Sequence, residues 1–289
     1  MSRRLCQGWG VPLFDPPIAP VRAVVTAALS EDLVPLGDLT SALLPVEAQA
    51  DARLVVRQPG VVAGRSCVDE TFAQVDAAIA CRWRVADGDT VGAGTVLADI
   101  GGPLASVLTA ERTALNFLGH LSGIATLTAA FVDAAGGRLR VWDTRKTTPG
   151  LRALEKAAVR AGGGFNHRAN LSDAIMVKDN HLAGLSIAEA VERARSMWPG
   201  RPVHVECDTM SQLDAILATR ADRAMVDNFS PSDVVAAVAL VADRIELEVT
   251  GGVTLDNVAD YAAARPDFIS VGALTQSAGV VDLGLDIAR

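Results

Sequence analysis

Short apolar runs that stop at a polar residue or a glycine recur through the second half of the chain. They fall at residues 139–143, 174–178, 203–206, 224–227, 245–249 and 268–272. Each has the length of a strand, and the segments between them carry apolar residues at helical spacing. Ser186 precedes Glu189 by three residues and Thr209 precedes Gln212 likewise, as capping boxes do. Ser230-Pro231 supplies an N-cap followed by a proline at the first helical position. Strand ends at 178, 206, 227, 249 and 272 are separated by 28, 21, 22 and 23 residues. So even a repeat predicts a parallel β/α barrel. A doubly wound open sheet is the competing architecture, but no GxGxxG fingerprint follows a first strand.

The first part of the chain has a different rhythm. Pro16, Pro17 and Pro20 introduce a helix over 21–30, and the stretch ADARLVVRQ (50–58) reads as a strand. Pro59-Gly60 turns the chain into a short apolar run at 61–63. A helix is expected over 68–79, then strands over 82–86 and 95–100, parted by the Gly-rich segment DGDTVGAG. This mixture predicts a small α/β domain with helices over one face of a sheet. From 106 to 135 the pattern is helical, with Gly119 and Gly123 allowing another backbone to come close.

Composition narrows the function. Half of the residues are apolar and 21% are charged, the balance of a folded chain, while 4% aromatics imply an aliphatic core. With 26 basic and 34 acidic residues the net charge is -8, which excludes the broad basic surface of a nucleic-acid binder. A small site can still be locally positive. Cys6, Cys67, Cys81 and Cys207 form no CxxC pair and suit a reducing compartment better than a disulfide framework. Residues 1–10 carry Arg3 and Arg4 but no apolar run behind them, so they do not read as a signal peptide. No stretch approaches ~20 uninterrupted apolar residues, and a cytoplasmic protein is expected.

In a barrel the strand C-termini and the loops after them make the active site, so polar residues there carry most weight. The densest cluster is DTRKTTPG (143–150), in which Arg145 and Lys146 sit among Thr144, Thr147 and Thr148. It reads as an anion-binding loop rather than a solvated one. Gly162, Gly163 and Gly164 precede Asn166-His167-Arg168. A phosphate nest there is possible, but the Walker pattern is missing. His167 has the strongest case among the histidines; His120, His181 and His204 have weaker ones. Lys178 follows four buried-type residues and must emerge into a cleft or be paired. Glu206 and Asp208 share a face if their strand runs on, and Asp227 ends the next strand. Such carboxylates would hold Mg²⁺ or orient basic side chains. Thr250-Gly251-Gly252 and Val271-Gly272-Ala273 offer backbone amides followed by a helix N-terminus, a phosphate site. The residues imply a phosphorylated, multiply anionic substrate. Isomerases and aldolases use such barrels too, so the residues alone stop there.

The same segments resemble the quinolinate phosphoribosyltransferase family. The matching stretches are ERTALNFLGHLSGIAT (111–126), DTRKTTPGLRALEKAAVRAGGGFNHR (143–168), LSDAIMVKDNH (171–181), VHVECDT (203–209), VDNFSP (226–231), LEVTGGVTLDNV (247–258) and ISVGALTQSAGVVDLGLD (269–286). EDLVPLGDLTS (31–41) is a looser version of an early family stretch. The resemblance implies an N-terminal α/β sandwich over 1–115 and an incomplete β/α barrel of about seven units over 116–274, type II phosphoribosyltransferase-like. The tail 275–289 would return to the N-terminal domain. It also implies a reaction: quinolinate and magnesium-bound phosphoribosyl pyrophosphate give nicotinate mononucleotide, pyrophosphate and CO₂ in NAD biosynthesis.

Carried over residue by residue, Arg145, His167, Arg168 and Lys178 resemble the quinolinate pocket, with Arg112 supplied by the partner of an obligate homodimer, in some cases a trimer of dimers. Lys146, Glu206 and Asp227 look like the catalytic set. By that resemblance Lys146 would contact the phosphoribosyl substrate, and the two carboxylates would hold Mg²⁺ and the ribose, directly or through water. Thr144, Thr250, Gly251, Gly252, Val271, Gly272 and Ala273 would line the substrate and its phosphate. Three positions depart from the common pattern. Gly119-His120 stands where Gln-Arg is frequent, Thr250 where serine is, and Gln276 where histidine is. Related readings are a paralogous group linked to molybdenum uptake and a nicotinate-specific phosphoribosyltransferase, the latter needing fewer cations for one ring carboxylate.

Overall fold

The computed structural model describes residues 15–288, so Arg3, Arg4 and Cys6 lie outside the described residues. Along the chain come α1 (Ile18–Leu33), β1 (Gln49–Val56), β2 (Gly60–Val61), α2 (Arg65–Val75), β3 (Ala80–Trp83), β4 (Thr90–Val91), β5 (Val96–Pro103) and α3 (Leu104–Ala134). Then follow β6 (Arg140–Trp142), α4 (Arg152–Ala161), β7 (Ile175–Val177), α5 (Ile187–Met197), β8 (Val203–Cys207) and α6 (Met210–Leu217). The chain ends through β9 (Arg223–Asp227), α7 (Pro231–Val241), β10 (Glu246–Thr250), α8 (Val258–Ala264), β11 (Phe268–Ser270), α9 (Ala273–Gln276) and β12 (Leu283–Ile287). Two compact units result. The first holds the chain up to Ala129, Thr147–Gly163 and the stretch from Thr275 onward; the second holds Ala130–Lys146 and Gly164–Leu274.

In the first unit an antiparallel sheet runs in the order β12-β1-β5-β3. Ala50, Ala52 and Leu54 of β1 alternate with exposed neighbours, the period-two pattern of a sheet buried on one face. They join Val68, Phe72, Leu97, Ile100, Val107 and Leu118 in one aliphatic core. The tail strand β12 pairs with β1 from Ala52↔Ile287 to Val56↔Leu283. Nothing in the short, glycine-containing stretch LGLDI signals that strand by itself. The two-stranded ribbon β2–β4 is likewise illegible, being two residues per strand.

α3 is the one helix among the described residues long and apolar enough to cross a membrane, yet 67% of its apolar window is buried inside the protein. Its glycines explain part of that burial. A Cβ on Gly123 would stand 1.7 Å from Gly279 O, and one on Gly119 would stand 2.9 Å from Val281 O. The returning tail therefore lies directly on the helix backbone, and Val281 N–H donates to Gly119 O at 3.0 Å.

The second unit is a parallel six-stranded sheet in the order β6-β11-β10-β9-β8-β7. A parallel bridge between Trp142 and Phe165 adds a seventh segment beyond β6. Among the described residues no ladder joins the Phe165 segment to β7, so the barrel is incomplete and open at that seam. The sequence places its strands and helix starts well. Ser186 Oγ accepts from Glu189 N–H, and the Glu189 carboxylate accepts from Ser186 N–H at 2.8 Å. Thr209 with Gln212 repeats the device, and Ser230 caps α7 with Pro231 behind it.

Side chains alternate along each barrel strand. Val203, Val205, Cys207, Ala224, Val226, Leu247, Val249 and Ile269 are buried and apolar. The opposite face carries His204, Glu206, Arg223, Asp227, Glu248 and Ser270, several of which touch one another. The barrel's inner face thus mixes polar groups with Trp142, Met176, Met225 and Phe268, while the opposite face of each strand is apolar.

Replacing Gly123 by alanine forces the tail off α3 and should destabilise the protein by about 3 kcal/mol, the upper range for an overpacked core site. Urea unfolding of Gly123→Ala should show a lowered midpoint with an unchanged slope.

Candidate active site

Asp143, at the end of β6, is fully buried. Its Oδ2 accepts from Asn166 Nδ2 at 2.7 Å and its Oδ1 from His167 N–H at 2.8 Å. One carboxylate thereby ties the start of the DTRK loop to the Asn-His-Arg segment. Arg168 then reaches across the open seam. Its Nη1 donates to Ala174 O at 2.9 Å, and Nη2 lies 3.4 Å from Met176 Sδ. Burial, and after it the positive charge of Arg145, pushes the Arg168 guanidinium below its usual pKa. Arg168 thus feels the positive charge of Arg145, offset in part by the Asp173 carboxylate.

Lys178 follows β7, and its Nζ donates to Glu206 Oε2 on neighbouring β8. Asp227 ends β9 opposite Thr250 of β10. Beyond Thr250 the chain takes two consecutive left-handed residues, Gly251 (φ 78°) and Gly252 (φ 63°). A Cβ on Gly251 would lie 2.4 Å from both Asp227 Oδ1 and Asn228 Oδ1, so only glycine lets these side chains close over the turn. After β11, Val271 is buried and gives its N–H to Trp142 O at 2.9 Å, leaving Gly272 and Ala273 as the open backbone. A Cβ on Gly272 would lie 3.0 Å from Lys146 Cδ, so Lys146 lies along that glycine. Thr144 Oγ1 accepts from Lys146 N–H at 3.0 Å and shapes the turn before it.

The second unit thus collects Thr144, Arg145, Lys146, His167, Arg168, Lys178, Glu206, Asp227, Thr250, Gly251, Gly252, Val271, Gly272 and Ala273 in the loops and ends of one parallel sheet. Arg112 belongs to the first unit, exposed on α3, with no ion pair among the described residues. Some expectations change. β8 stops at Cys207, and Asp208 is exposed with its N–H on Gln212 Oε1, so it shares no strand face with Glu206. The three glycines before Asn166 are no phosphate nest. Gly162 caps the C-terminus of α4, and a Cβ there would stand 2.4 Å from Ala125 O of α3. After Gly252 the next helix starts only at Val258, so Gly251-Gly252 is a turn rather than a helix N-terminus.

His120 faces Glu155, with Nε2 2.9 Å from Oε1. The same buried carboxylate accepts Thr148 N–H at 3.2 Å, two residues beyond Lys146. The departure from arginine at this position therefore leaves Glu155 with a partner. Sequence reasoning missed Arg223 and Glu248, which carry the interior ion pair at 3.1 Å. The signal was available: Glu246-Leu247-Glu248-Val249-Thr250 alternates with a strict period of two, which marks a strand with one polar face.

Among the described residues, no group of three or more His, Cys, Asp or Glu side chains is arranged to hold a metal. Glu206 and Asp227 are two oxygen donors on adjacent strands, one already engaged by Lys178. Such a pair fits Mg²⁺ that brings its own water and phosphate ligands, not a metal caged by protein.

A parallel β/α barrel with paired cations and a glycine turn at its strand ends defines an enzyme site for a polyanion. Residues 38–122 match the N-terminal domain, and 124–286 the C-terminal domain, of quinolinate phosphoribosyl transferase. The chain belongs to that family. The nicotinate-nucleotide pyrophosphorylase [carboxylating] of Mycobacterium leprae is 42% identical over 92% of this chain and 96% of its own length. The probable enzyme of that name in Bacillus subtilis is 41% identical over 87% of this chain and 88% of its own. The solved nicotinate-nucleotide pyrophosphorylase of Francisella tularensis superposes with a TM-score of 0.92 at 35% identity, covering 96% of this chain and 100% of that one.

His204 lies beside Arg223 inside the barrel. Burial first, and then the Arg223 charge, pushes its pKa down to about 4. A histidine that resists protonation only when folded makes stability fall as pH drops from its ordinary value through about 4. The loss should be on the order of 2 kcal/mol. Chemical denaturation at a series of pH values should show this slope in the native protein and a flatter one in His204→Leu.

Proposed function

We propose that this chain is a quinolinate phosphoribosyltransferase. It transfers the phosphoribosyl group of phosphoribosyl pyrophosphate to quinolinate, yielding nicotinate mononucleotide, pyrophosphate and CO₂ for NAD biosynthesis. The observation that carries this reading is the gathering of Arg145, Arg168 and Lys178 in the loops and strand ends of one parallel sheet. Quinolinate brings two ring carboxylates, and three cations suit that charge. Arg145, Arg168 and Lys178 would hold the carboxylates, with His167 beneath them.

Lys146, along Gly272, would meet the phosphoribosyl substrate. Gly251, Gly252, Gly272 and Ala273 would receive its phosphate largely through backbone amides, with Thr250 and Val271 shaping the turns that present them. Mg²⁺ would enter with the pyrophosphate group and be met by Glu206 and Asp227, directly or through water, offsetting charge on the leaving group. The ring nitrogen forms a bond to the ribose C1 as the C1–O bond to pyrophosphate breaks. The carboxylate beside the ring nitrogen then leaves as CO₂, its electron pair passes to the ring carbon, and a proton replaces it. The protein's part is positioning and electrostatic stabilisation of an oxocarbenium-like ribose.

The exposed Arg112 supports a homodimer in which each chain supplies this residue to its neighbour's site. Free Cys67, Cys81 and Cys207 support a cytoplasmic setting.

Protein supplied with Mg²⁺, phosphoribosyl pyrophosphate and quinolinate should release CO₂ and nicotinate mononucleotide. Nicotinate in place of quinolinate should give no product, and chelation of Mg²⁺ should stop turnover. Product from nicotinate alone would overturn the reading. Arg112→Ala and Lys146→Ala should each be nearly inactive, and mixing the two after subunit exchange should restore activity, because one mixed site then has both residues.

A further inference from the structure

His167 turns both ring nitrogens towards groups of the protein. Nδ1 accepts the Arg168 backbone N–H at 2.7 Å. Nε2 lies 3.3 Å from Glu248 Oε2, an electrostatic contact whose geometry falls short of a hydrogen bond. The residue is buried, with its ring edge-on to Trp142 at 5.2 Å and to His204 at 5.6 Å. A nitrogen that accepts from a backbone amide carries no proton of its own, so the ring proton belongs on Nε2, towards Glu248. A ring oriented in this way turns both nitrogens to the protein instead of to a substrate carboxylate.

Glu248 is itself fully buried. Ser270 Oγ donates to its Oε1, and Arg223 Nη1 lies 3.1 Å from its Oε2. Burial alone would raise its pKa, but His167, Ser270 and Arg223 outweigh that and keep it low. Arg223 also grips Glu246 at 2.7 Å, so it does not depend on Glu248 alone.

We propose that Glu248 is a positioning residue of the substrate site, acting through His167. It holds the imidazole as the Nε2–H tautomer, whose bare Nδ1 fixes the Arg168 amide and, through it, the guanidinium beside Arg145. His167 is a strut under the carboxylate pocket, not a ligand in it. This inference rests on the quinolinate reading for its ligand, but not for its tautomer.

Nitrogen-15 spectra of the free protein should show His167 protonated at Nε2 and bare at Nδ1, with no change on adding quinolinate. In Glu248→Met the tautomer should become mixed, and quinolinate affinity should fall about tenfold, as for loss of a buried charged contact. Affinity for phosphoribosyl pyrophosphate with Mg²⁺ should be unaltered. Glu248→Gln, whose amide oxygen still faces Nε2–H, should restore the tautomer. His167→Asn, which puts an oxygen where Nδ1 was, should recover most of the quinolinate affinity that His167→Ala loses. A proton found on Nδ1, or equal quinolinate affinity in Glu248→Met and the native protein, would overturn the proposal. So would His167→Asn as weak as His167→Ala. Native protein that bound no quinolinate would instead sink the functional reading, while the tautomer spectra would still decide the role of Glu248.

Discussion

Charge inside the barrel has to be neutralised before charge can be displayed at its mouth. Asp143 and Glu248 are both fully buried, where an unpaired carboxylate is strongly disfavoured. Each is met by groups that also position the site. Asp143 takes the Asn166 amide and the His167 backbone, and Glu248 takes Arg223, Ser270 and His167. These bonds extend the Trp142–Phe165 bridge and tie the loop after β6 to the segment before β7. The loop that carries Arg145 and the segment that carries Arg168 therefore leave the sheet from one shared base.

The interior polarity also accounts for how the sheet is covered. A barrel strand buried on both sides normally reads as a continuous apolar run. Here the apolar half of each strand, such as Val203, Val205 and Cys207, is turned outward, while Glu206 and His204 lie on the opposite face. Arg223 adds packing as well as charge, its guanidinium lying 4.5 Å from the Trp142 ring centroid and 4.2 Å from that of Phe268. Trp142 and Phe268 also pack against one another, with ring centroids 4.6 Å apart.

Much of this was legible from periodicity. Even strand–helix spacing gave the barrel, and the capping pairs Ser186/Glu189 and Thr209/Gln212 located helix starts to the residue, because a cap is a local bond set by neighbours in sequence. The cations at strand ends were found for a similar reason: a charged residue directly after an apolar run has few places to go. What escaped was non-local. β12 exists only because β1 offers it an edge, and the Phe165 bridge only because Trp142 does. Whether β8 runs on to Asp208 could not be read from sequence; it stops at Cys207, and Asp208 is left exposed. Glu248 was hidden inside a run read as apolar, although its alternation with Leu247 and Val249 pointed to it.

The pairing of Lys178 with Glu206 gives the two halves of the proposed reaction a physical connection. Lys178 has three donors, so it can keep Glu206 while giving another to a substrate carboxylate. Glu206 has a second oxygen, free of that bond, to turn towards the ribose and the ion that accompanies pyrophosphate. An anion arriving at Lys178 draws on the same positive charge that steadies Glu206, and the carboxylate then attracts the cationic side of its own ligand more strongly. The sign of the effect follows from charge alone. Filling the carboxylate pocket should tighten the hold of Glu206 on the Mg²⁺ ion, and by reciprocity the ion should strengthen the first ligand.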